Sequence, residues 1–172
     1  KGFSPVYTVS KIFEHATYSP DENILNLFTN VPKTFLPFLD ARADLLRDNI
    51  KQSILWSRQN RTKYAAFLQP MYSVDNRAYV GWEKKYFSQH QERAGQFQRV
   101  YRHARRHYAD LGTDYGGAGS TICISDISGT ALKDVNDRVY MDYGHLLGIG
   151  NQAVAEAIVG ELDQCNLLPW KT

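Results

Sequence analysis

Residues 63–70 read Lys-Tyr-Ala-Ala-Phe-Leu-Gln-Pro, a short and nearly all-apolar stretch that ends in a proline. Such a run is typical of a strand that is buried on both faces, as strands of parallel sheets are. A second run of this kind, at residues 121–126, follows a glycine-rich loop. Helical patterns precede, separate and follow the two runs. This order of helices and strands predicts an α/β fold with a parallel sheet.

The helices are predicted from the spacing of apolar residues. The first covers about residues 41–59, with Asp40 as its N-cap and Asn60 as its stop. A long apolar face over residues 86–111 predicts one continuous helix, which Gly112 is expected to end. The last helix is predicted from about Ile149 to Asp163, with an inner face formed by Val154, Ala157, Ile158 and Leu162.

The composition is that of a folded domain. The chain has 172 residues, of which 43% are hydrophobic and 22% charged, enough for a core of its own. A net charge of +2 argues against a surface devoted to nucleic acid. The sequence contains no run of about 18 apolar residues, so no transmembrane helix is predicted, and the first residues show no signal peptide. Because Lys1 is not preceded by an initiator methionine, we expect an upstream segment of the gene product. Cys123 and Cys165 are too few for a disulfide framework and indicate no redox compartment.

The chain divides into two predicted regions. Residues 1–39 are rich in aromatic and apolar side chains, but Pro20, Pro32 and Pro37 are expected to break any long helix there. We therefore predict an irregular, partly helical segment whose aromatic residues form core or interface. Residues 40–172 carry the regular α/β pattern and form the second region.

The sharpest local signal is an aspartate three residues before a histidine, Asp142 and His145, in a loop that leads into the last helix. This spacing can place both side chains at one point of the surface. The carboxylate can then accept a hydrogen bond from one imidazole nitrogen, which fixes the tautomer and stabilises the imidazolium. The other nitrogen is free to take a proton from a nucleophile. Asp-x-x-His is a common sequence, so a purely structural role is the alternative.

The sequence around this pair resembles the last block of the SGNH (GDSL-type) hydrolase family. There, Asp-x-x-His-Leu is followed by Gly-Asn and an Ala/Ile-rich helix, as in residues 142–158. A helix ending near Asn60, a strand at 66–70, a long helix and the segment 124–128 also follow the order of that family's C-terminal half. The resemblance therefore covers about residues 40–165. It implies the C-terminal portion of a flavodoxin-like, three-layer α/β/α fold with parallel strands.

The same resemblance implies a reaction. Asp142 would orient His145, and His145 would act as general base and then general acid in ester hydrolysis or acyl transfer. The implied substrate is a carboxylic ester, such as an acetylated sugar, a lipid or a polysaccharide. No cofactor and no metal are implied.

The family's other blocks are absent from this chain. Neither a Gly-Asp-Ser-Leu-like nucleophile block nor a Gly-x-Asn-Asp-like oxyanion block occurs. Ser120 follows a glycine-rich stretch but precedes a strand, whereas a nucleophile elbow follows one. The chain alone is therefore expected to be inactive as a serine esterase. The remaining serines also lie in other contexts: Ser4, Ser10, Ser19, Ser53, Ser57, Ser73, Ser88, Ser125 and Ser128.

The predicted sheet is incomplete as well. Two buried parallel strands leave an open edge of unpaired backbone groups and do not make a stable sheet by themselves. We expect a missing N-terminal half, or another subunit of a larger assembly, to complete the sheet and to supply the serine.

Other patterns suggest weaker alternatives. His103 and His107 have the spacing of two metal ligands on a helix, but Ala104 stands where a zinc protease needs a glutamate, so a solvated basic face is expected. Arginines on the same helix suggest a polyanion-binding stripe, although a solvated face or subunit contact is more typical. The stripe consists of Arg93, Arg99, Arg102, Arg105 and Arg106.

Three hypotheses for the function follow. The first is the C-terminal part of an SGNH-like hydrolase or acyltransferase, whose serine lies outside this chain. The second is a non-catalytic scaffold subunit that retains a degenerate fold of this kind. The third and weakest is a module that binds a polyanion.

Overall fold

A computed structural model describes residues 36–89, 91–117 and 119–168, without the side chains of residues 36–38, 92 and 93. Within these residues the chain forms four helices and a two-stranded parallel sheet. The prediction of an α/β fold is confirmed at this level. The prediction for the first 35 residues lies outside the described part of the chain.

The first helix, α1 (Leu36–Gln59), begins earlier than the sequence predicts. Pro37 lies in its first turn and does not break it. The N–H groups of the first turn have no acceptor within the helix, so a proline there removes no helical hydrogen bond. Asp40 is consequently inside the helix, and the prediction that it is the N-cap is wrong. Its carboxylate instead pairs with Arg99, at 2.9 and 2.6 Å. The helix stops just before Asn60, as predicted.

The sheet consists of β1 (Tyr64–Leu68) and β2 (Ile122–Asp126). The strands are parallel, with Tyr64 opposite Ile122 and Leu68 opposite Asp126. Alternate residues of β1 are buried in a core formed with α1 and with a long helix, α3 (Gln91–Tyr115). The core residues from the two helices are Ile50, Ile54, Tyr101, Ala104, Tyr108 and Leu111.

The apolar face over residues 86–111 does not belong to one continuous helix. It is divided between a short helix, α2 (Gly81–Ser88), and α3. At the division, the N–H of Gln89 donates to the carbonyl of Tyr86, and the hydroxyl of Tyr72 donates to the carbonyl of Phe87. Periodicity alone does not reveal this break, because both helices bury apolar side chains at similar spacing.

Gly112 does not end α3, which continues to Tyr115. An added Cβ at Gly112 would lie 3.4 Å from the carbonyl oxygen of Ile124. The glycine therefore allows the helix to approach β2 closely, and the prediction that it terminates the helix is wrong.

The last helix, α4 (Gly148–Gln164), agrees with the prediction to within one residue at each end. The side chains predicted for its inner face are only half-buried. Gly150 is the buried residue of this helix, and its backbone lies against the chain at Val139 and Leu146. A Cβ added there would lie 3.0 Å from the Cβ of Val139 and 3.2 Å from that of Leu146.

We expect Gly150→Ala to destabilise the fold and Gly160→Ala to stabilise it. The first change forces the Val139 segment away from α4, at a cost of about 1–3 kcal/mol. The second has no heavy atom within 4 Å and gains about 1 kcal/mol of helix propensity. Urea denaturation of both variants measures the difference. A Gly150→Ala variant as stable as Gly160→Ala would contradict the close contact.

A disulfide bond joins β2 to the residue after α4. Cys123 and Cys165 are bonded with their Cα atoms 5.7 Å apart, across 42 positions of sequence. Beyond it, Leu167 and Leu168 are buried, and the Lys63 ammonium donates to the carbonyl of Leu167 at 3.0 Å. The cross-link therefore attaches the C-terminal end of α4 to the sheet, which the two cysteines in the sequence did not predict.

Candidate functional site

The candidate site is a tight loop at residues 139–147, immediately before α4. Leu147 N–H donates to the Val139 carbonyl at 2.7 Å, and Met141 N–H donates to the His145 carbonyl at 2.9 Å. Tyr140 and Leu146 form an isolated antiparallel bridge between these bonds. The two arms of the loop are thus paired, and residues 142–144 form its tip.

Asp142 and His145 meet at this tip. Asp142 Oδ1 accepts hydrogen bonds from the backbone N–H groups of Gly144 and His145, both at 2.9 Å. Asp142 Oδ2 lies 2.7 Å from Nδ1 of His145. The structure therefore brings together the two side chains that the spacing singles out. The His145 side chain is 53% exposed, and within the described part of the chain no hydrogen bond occupies its Nε2.

The surroundings of Asp142 favour its ionised form. Partial burial raises the pKa of the carboxyl group, but the backbone N–H groups of Gly144 and His145 and the His145 ring outweigh this effect. The resulting pKa of Asp142 lies below its ordinary value of 3.8. An ionised carboxylate holds Nδ1 protonated and leaves Nε2 as the acceptor of a proton.

The low pKa of Asp142 predicts a specific pH dependence of stability. Its ionised form stabilises the fold fully above the unfolded pKa of about 3.9, and this contribution is lost as the pH falls through the lower folded-state pKa. We expect the free energy of unfolding, measured by urea denaturation, to fall less between about pH 6 and pH 3 for Asp142→Asn than for wild type. Asp134→Asn, which changes a carboxylate that is 88% exposed, is the control and should follow wild type. Parallel curves for Asp142→Asn and wild type would contradict the prediction.

The loop lies beyond the carboxyl end of β1. The carbonyl of Tyr143 accepts the N–H of Tyr72 at 3.0 Å, and Tyr72 follows β1 by four positions. The ring of Tyr143 also packs against Tyr72, Tyr86 and Phe97. In open α/β sheets, ligands bind at the carboxyl ends of the parallel strands. The pair of Asp142 and His145 occupies that kind of position.

A network of buried charged side chains contacts the first residues of the loop. Arg77 and Glu83 form an ion pair in which both side chains are at most 1% exposed. Oε1 of Glu83 accepts the backbone N–H groups of Val139 and Tyr140, at 2.9 and 2.7 Å. Arg77 also donates to the carbonyl of Asp137 at 3.0 Å. The chain leading into the loop is therefore held by two buried charges that the sequence analysis did not single out.

Asp75 completes this network. Its carboxylate accepts the hydroxyls of Tyr79 and Tyr140, at 2.5 and 3.0 Å, and lies 3.4 Å from Nε of Arg77 without a hydrogen bond to it. Burial raises the pKa of Asp75, although these hydroxyls and Arg77 lower it in part. Burial and the nearby Asp75 also raise the pKa values of Tyr79 and Tyr140, so both tyrosines remain hydroxyl donors.

The serines near the sheet do not complete a triad. Ser120 lies at the amino end of β2, where its hydroxyl donates to the Tyr115 carbonyl at 2.8 Å, so it is at the opposite end of the sheet from the loop. Ser128 lies at the carboxyl end but is fully buried, and its hydroxyl donates to Asp126 and accepts from Arg105. In the part of the chain that the structure describes, no serine hydroxyl is hydrogen-bonded to His145.

Both histidines and two of the arginines of α3 contact other elements of the fold. His103 lies 3.3 Å from Asp40, and His107 lies 2.9 Å from the carboxylate of Asp44 on α1. Of the predicted arginine stripe, Arg99 pairs with Asp40, and Arg105 pairs with Asp126. Arg102 and Arg106 are exposed, and the side chain of Arg93 is outside the described set. The stripe is therefore not one uniform binding surface.

The described residues contain no group of three or more His, Cys, Asp or Glu side chains that could hold a metal ion. No helix among them has the length and apolar character needed to cross a membrane.

Comparison with known proteins adds no family. The chain matches no protein-family model, no curated protein and no solved structure. The class that the fold and site define is an α/β protein with an aspartate–histidine pair beyond the carboxyl end of a parallel strand.

Proposed function

We propose that this chain is the C-terminal part of an SGNH-like ester hydrolase or acyltransferase, in which Asp142 and His145 belong to a Ser-His-Asp triad. The observation that carries the proposal is the contact between Asp142 Oδ2 and His145 Nδ1, at 2.7 Å. It leaves Nε2 of His145 on an exposed loop tip, where a nucleophile from outside the chain can reach it. The complete domain would be a flavodoxin-like, three-layer α/β/α fold.

The proposed reaction assigns one role to each group. Nε2 of His145 takes the proton of the serine hydroxyl while the serine oxygen attacks the ester carbonyl carbon. The protonated imidazole then gives that proton to the leaving alcohol, and an acyl-serine remains. Water, or an acceptor alcohol in acyl transfer, attacks the acyl group with the same assistance. Asp142 stays ionised throughout and stabilises the imidazolium. No cofactor is required, and the substrate class is a carboxylic ester such as an acetylated sugar, lipid or polysaccharide.

The sheet supports the need for a second part. Among the described residues β1 pairs with β2 alone, which leaves the outer edge of β1 without a neighbouring strand. On the face of the sheet away from α1 and α3, Ala65 and Phe67 are only half-buried. A stable parallel sheet needs further strands and a covering layer. An N-terminal half or another subunit would provide them, together with the serine and the oxyanion donors.

Labelling with a serine-directed phosphonate tests this proposal. The chain is purified from its source with any bound polypeptides, treated with a fluorescent phosphonate, and separated under denaturing conditions. We expect a polypeptide or segment that accompanies this chain to be labelled, and the 172-residue chain alone to remain unlabelled. Absence of label on every accompanying polypeptide would exclude an active esterase.

A scaffold subunit without activity is the second candidate. It is favoured by one observation, namely that among the described residues no serine hydroxyl is hydrogen-bonded to His145, with Ser120 at the other end of the sheet and Ser128 buried. In that case the chain would purify with partners, none of which would react with the phosphonate. The labelling experiment therefore separates the two candidates directly.

A further inference from the structure

Glu83 lies far from the loop in sequence but contacts its first residues. Its side chain is fully buried on α2, and its Oε1 accepts two consecutive backbone N–H groups, those of Val139 and Tyr140. Val139 is also the residue whose carbonyl accepts Leu147 N–H and closes the loop. Glu83 thus fixes the same point of the backbone from which the loop begins.

The second oxygen of Glu83 is held by Arg77. Because a buried carboxylate is costly unless it is paired, this ion pair keeps the acceptor in place. Arg77 also contacts the segment before the loop, because it donates to the carbonyl of Asp137. An apolar pair of similar size would fill the same space, but it would leave the N–H groups of Val139 and Tyr140 without an acceptor.

We propose that Glu83 and Arg77 are positioning residues of the site, which hold residues 137–140 so that Asp142 and His145 meet. This inference rests on the proposed function and extends it to two residues that do not touch the reacting atoms. A loop that shifts by about 1 Å loses roughly 100-fold in rate by misplacing the base. The oxygen of the Glu83 side chain accepts the two N–H groups, and the positive charge of Arg77 keeps that side chain in place.

Two double variants separate the acceptor oxygen from the buried charge. Arg77→Met with Glu83→Leu removes both charges and the acceptor, while Arg77→Met with Glu83→Gln removes both charges but retains a carbonyl oxygen. Both remove the charges of Arg77 and Glu83 together, and Asp75, which lies 3.4 Å from Nε of Arg77, keeps the hydroxyls of Tyr79 and Tyr140 as donors. Both are therefore expected to fold, as circular dichroism would verify. Lys84→Gln, on the exposed side of α2, is the control for an unrelated change in this helix.

The experiment measures the loop in the full chain without requiring activity. Hydrogen exchange is followed at the N–H groups of Gly144 and His145, which Asp142 binds, and the carboxyl of Asp142 is titrated by NMR. We expect the variant with leucine to exchange about 10–100-fold faster at these positions and to raise the pKa of Asp142. The Lys84→Gln control should remain close to wild type. The variant with glutamine should lie between it and the leucine variant, because it keeps an acceptor oxygen but loses the donation from Arg77 to the carbonyl of Asp137.

The same variants give a kinetic readout in the complete assembly. We expect the leucine variant to lower kcat about 100-fold with little change in KM, and the glutamine variant to have a kcat between those of the leucine variant and wild type. Unchanged exchange at Gly144 and His145 in the folded leucine variant would overturn the positioning role and leave the proposed esterase intact. The proposed function fails separately, if no accompanying polypeptide reacts with the phosphonate.

Discussion

His145→Ala is expected to lower kcat for ester hydrolysis about 10⁶-fold in the complete assembly, because it removes the proposed general base. Asp142→Asn is expected to lower kcat about 10⁴-fold, because an amide cannot hold the imidazole in the same tautomer. KM should change little in both variants, since neither side chain is assigned to substrate binding. Hydrolysis of p-nitrophenyl acetate by the purified assembly measures both effects.

A matched control for His145 is available in His103. His103 is 33% exposed, and its carboxylate partner is Asp40, so it reproduces the histidine–carboxylate chemistry away from the loop. His103→Ala should leave kcat within about twofold of wild type, as expected for a residue outside the reacting groups. Activity of His145→Ala within tenfold of wild type would exclude His145 as the general base.

Arg77→Met is expected to produce the largest loss of stability, about 3–5 kcal/mol, because it leaves Glu83 as an unpaired buried charge. The loss should be smaller when Glu83 is replaced by leucine or glutamine in the same molecule, since Glu83 then leaves no unpaired charge, although Asp75 still loses its nearby cation. Urea denaturation measures the free energy of unfolding of each variant. Arg102→Met, on the exposed face of α3, is the control and should change it by no more than about 0.5 kcal/mol. A loss below 1 kcal/mol for Arg77→Met would show that the pair is not buried as described.

The elements that the sequence predicts correctly are those with strong local patterns. The two apolar runs form β1 and β2, and the segment after residue 148, whose apolar spacing predicts a helix, forms α4. The closeness of Asp142 and His145 is also indicated locally, since they lie three positions apart in one loop. These features depend on neighbouring residues, and neighbouring residues are what a sequence pattern records.

The features that the sequence misses depend on contacts between distant segments. Asp40 has the character of an N-cap, but its acceptors are taken by Arg99, 59 positions away. Gly112 has the character of a helix stop, but it serves the packing of α3 on β2. Glu83 resembles any surface glutamate of a helix, yet it is buried against a segment 56 positions later. No local pattern distinguishes a polar residue with a distant partner from one that faces solvent.

The bond between Cys123 and Cys165 has a practical consequence for the preparation of this protein. Disulfides are rare in reducing cytosol, where glutathione and thioredoxin keep thiols reduced. Material expressed there would carry two thiols in place of the cross-link, and its α4 would be attached to the sheet by noncovalent contacts alone. Recombinant wild type and variants should therefore be produced in an oxidising compartment, such as the bacterial periplasm. Their intact mass should be compared before and after reduction and alkylation.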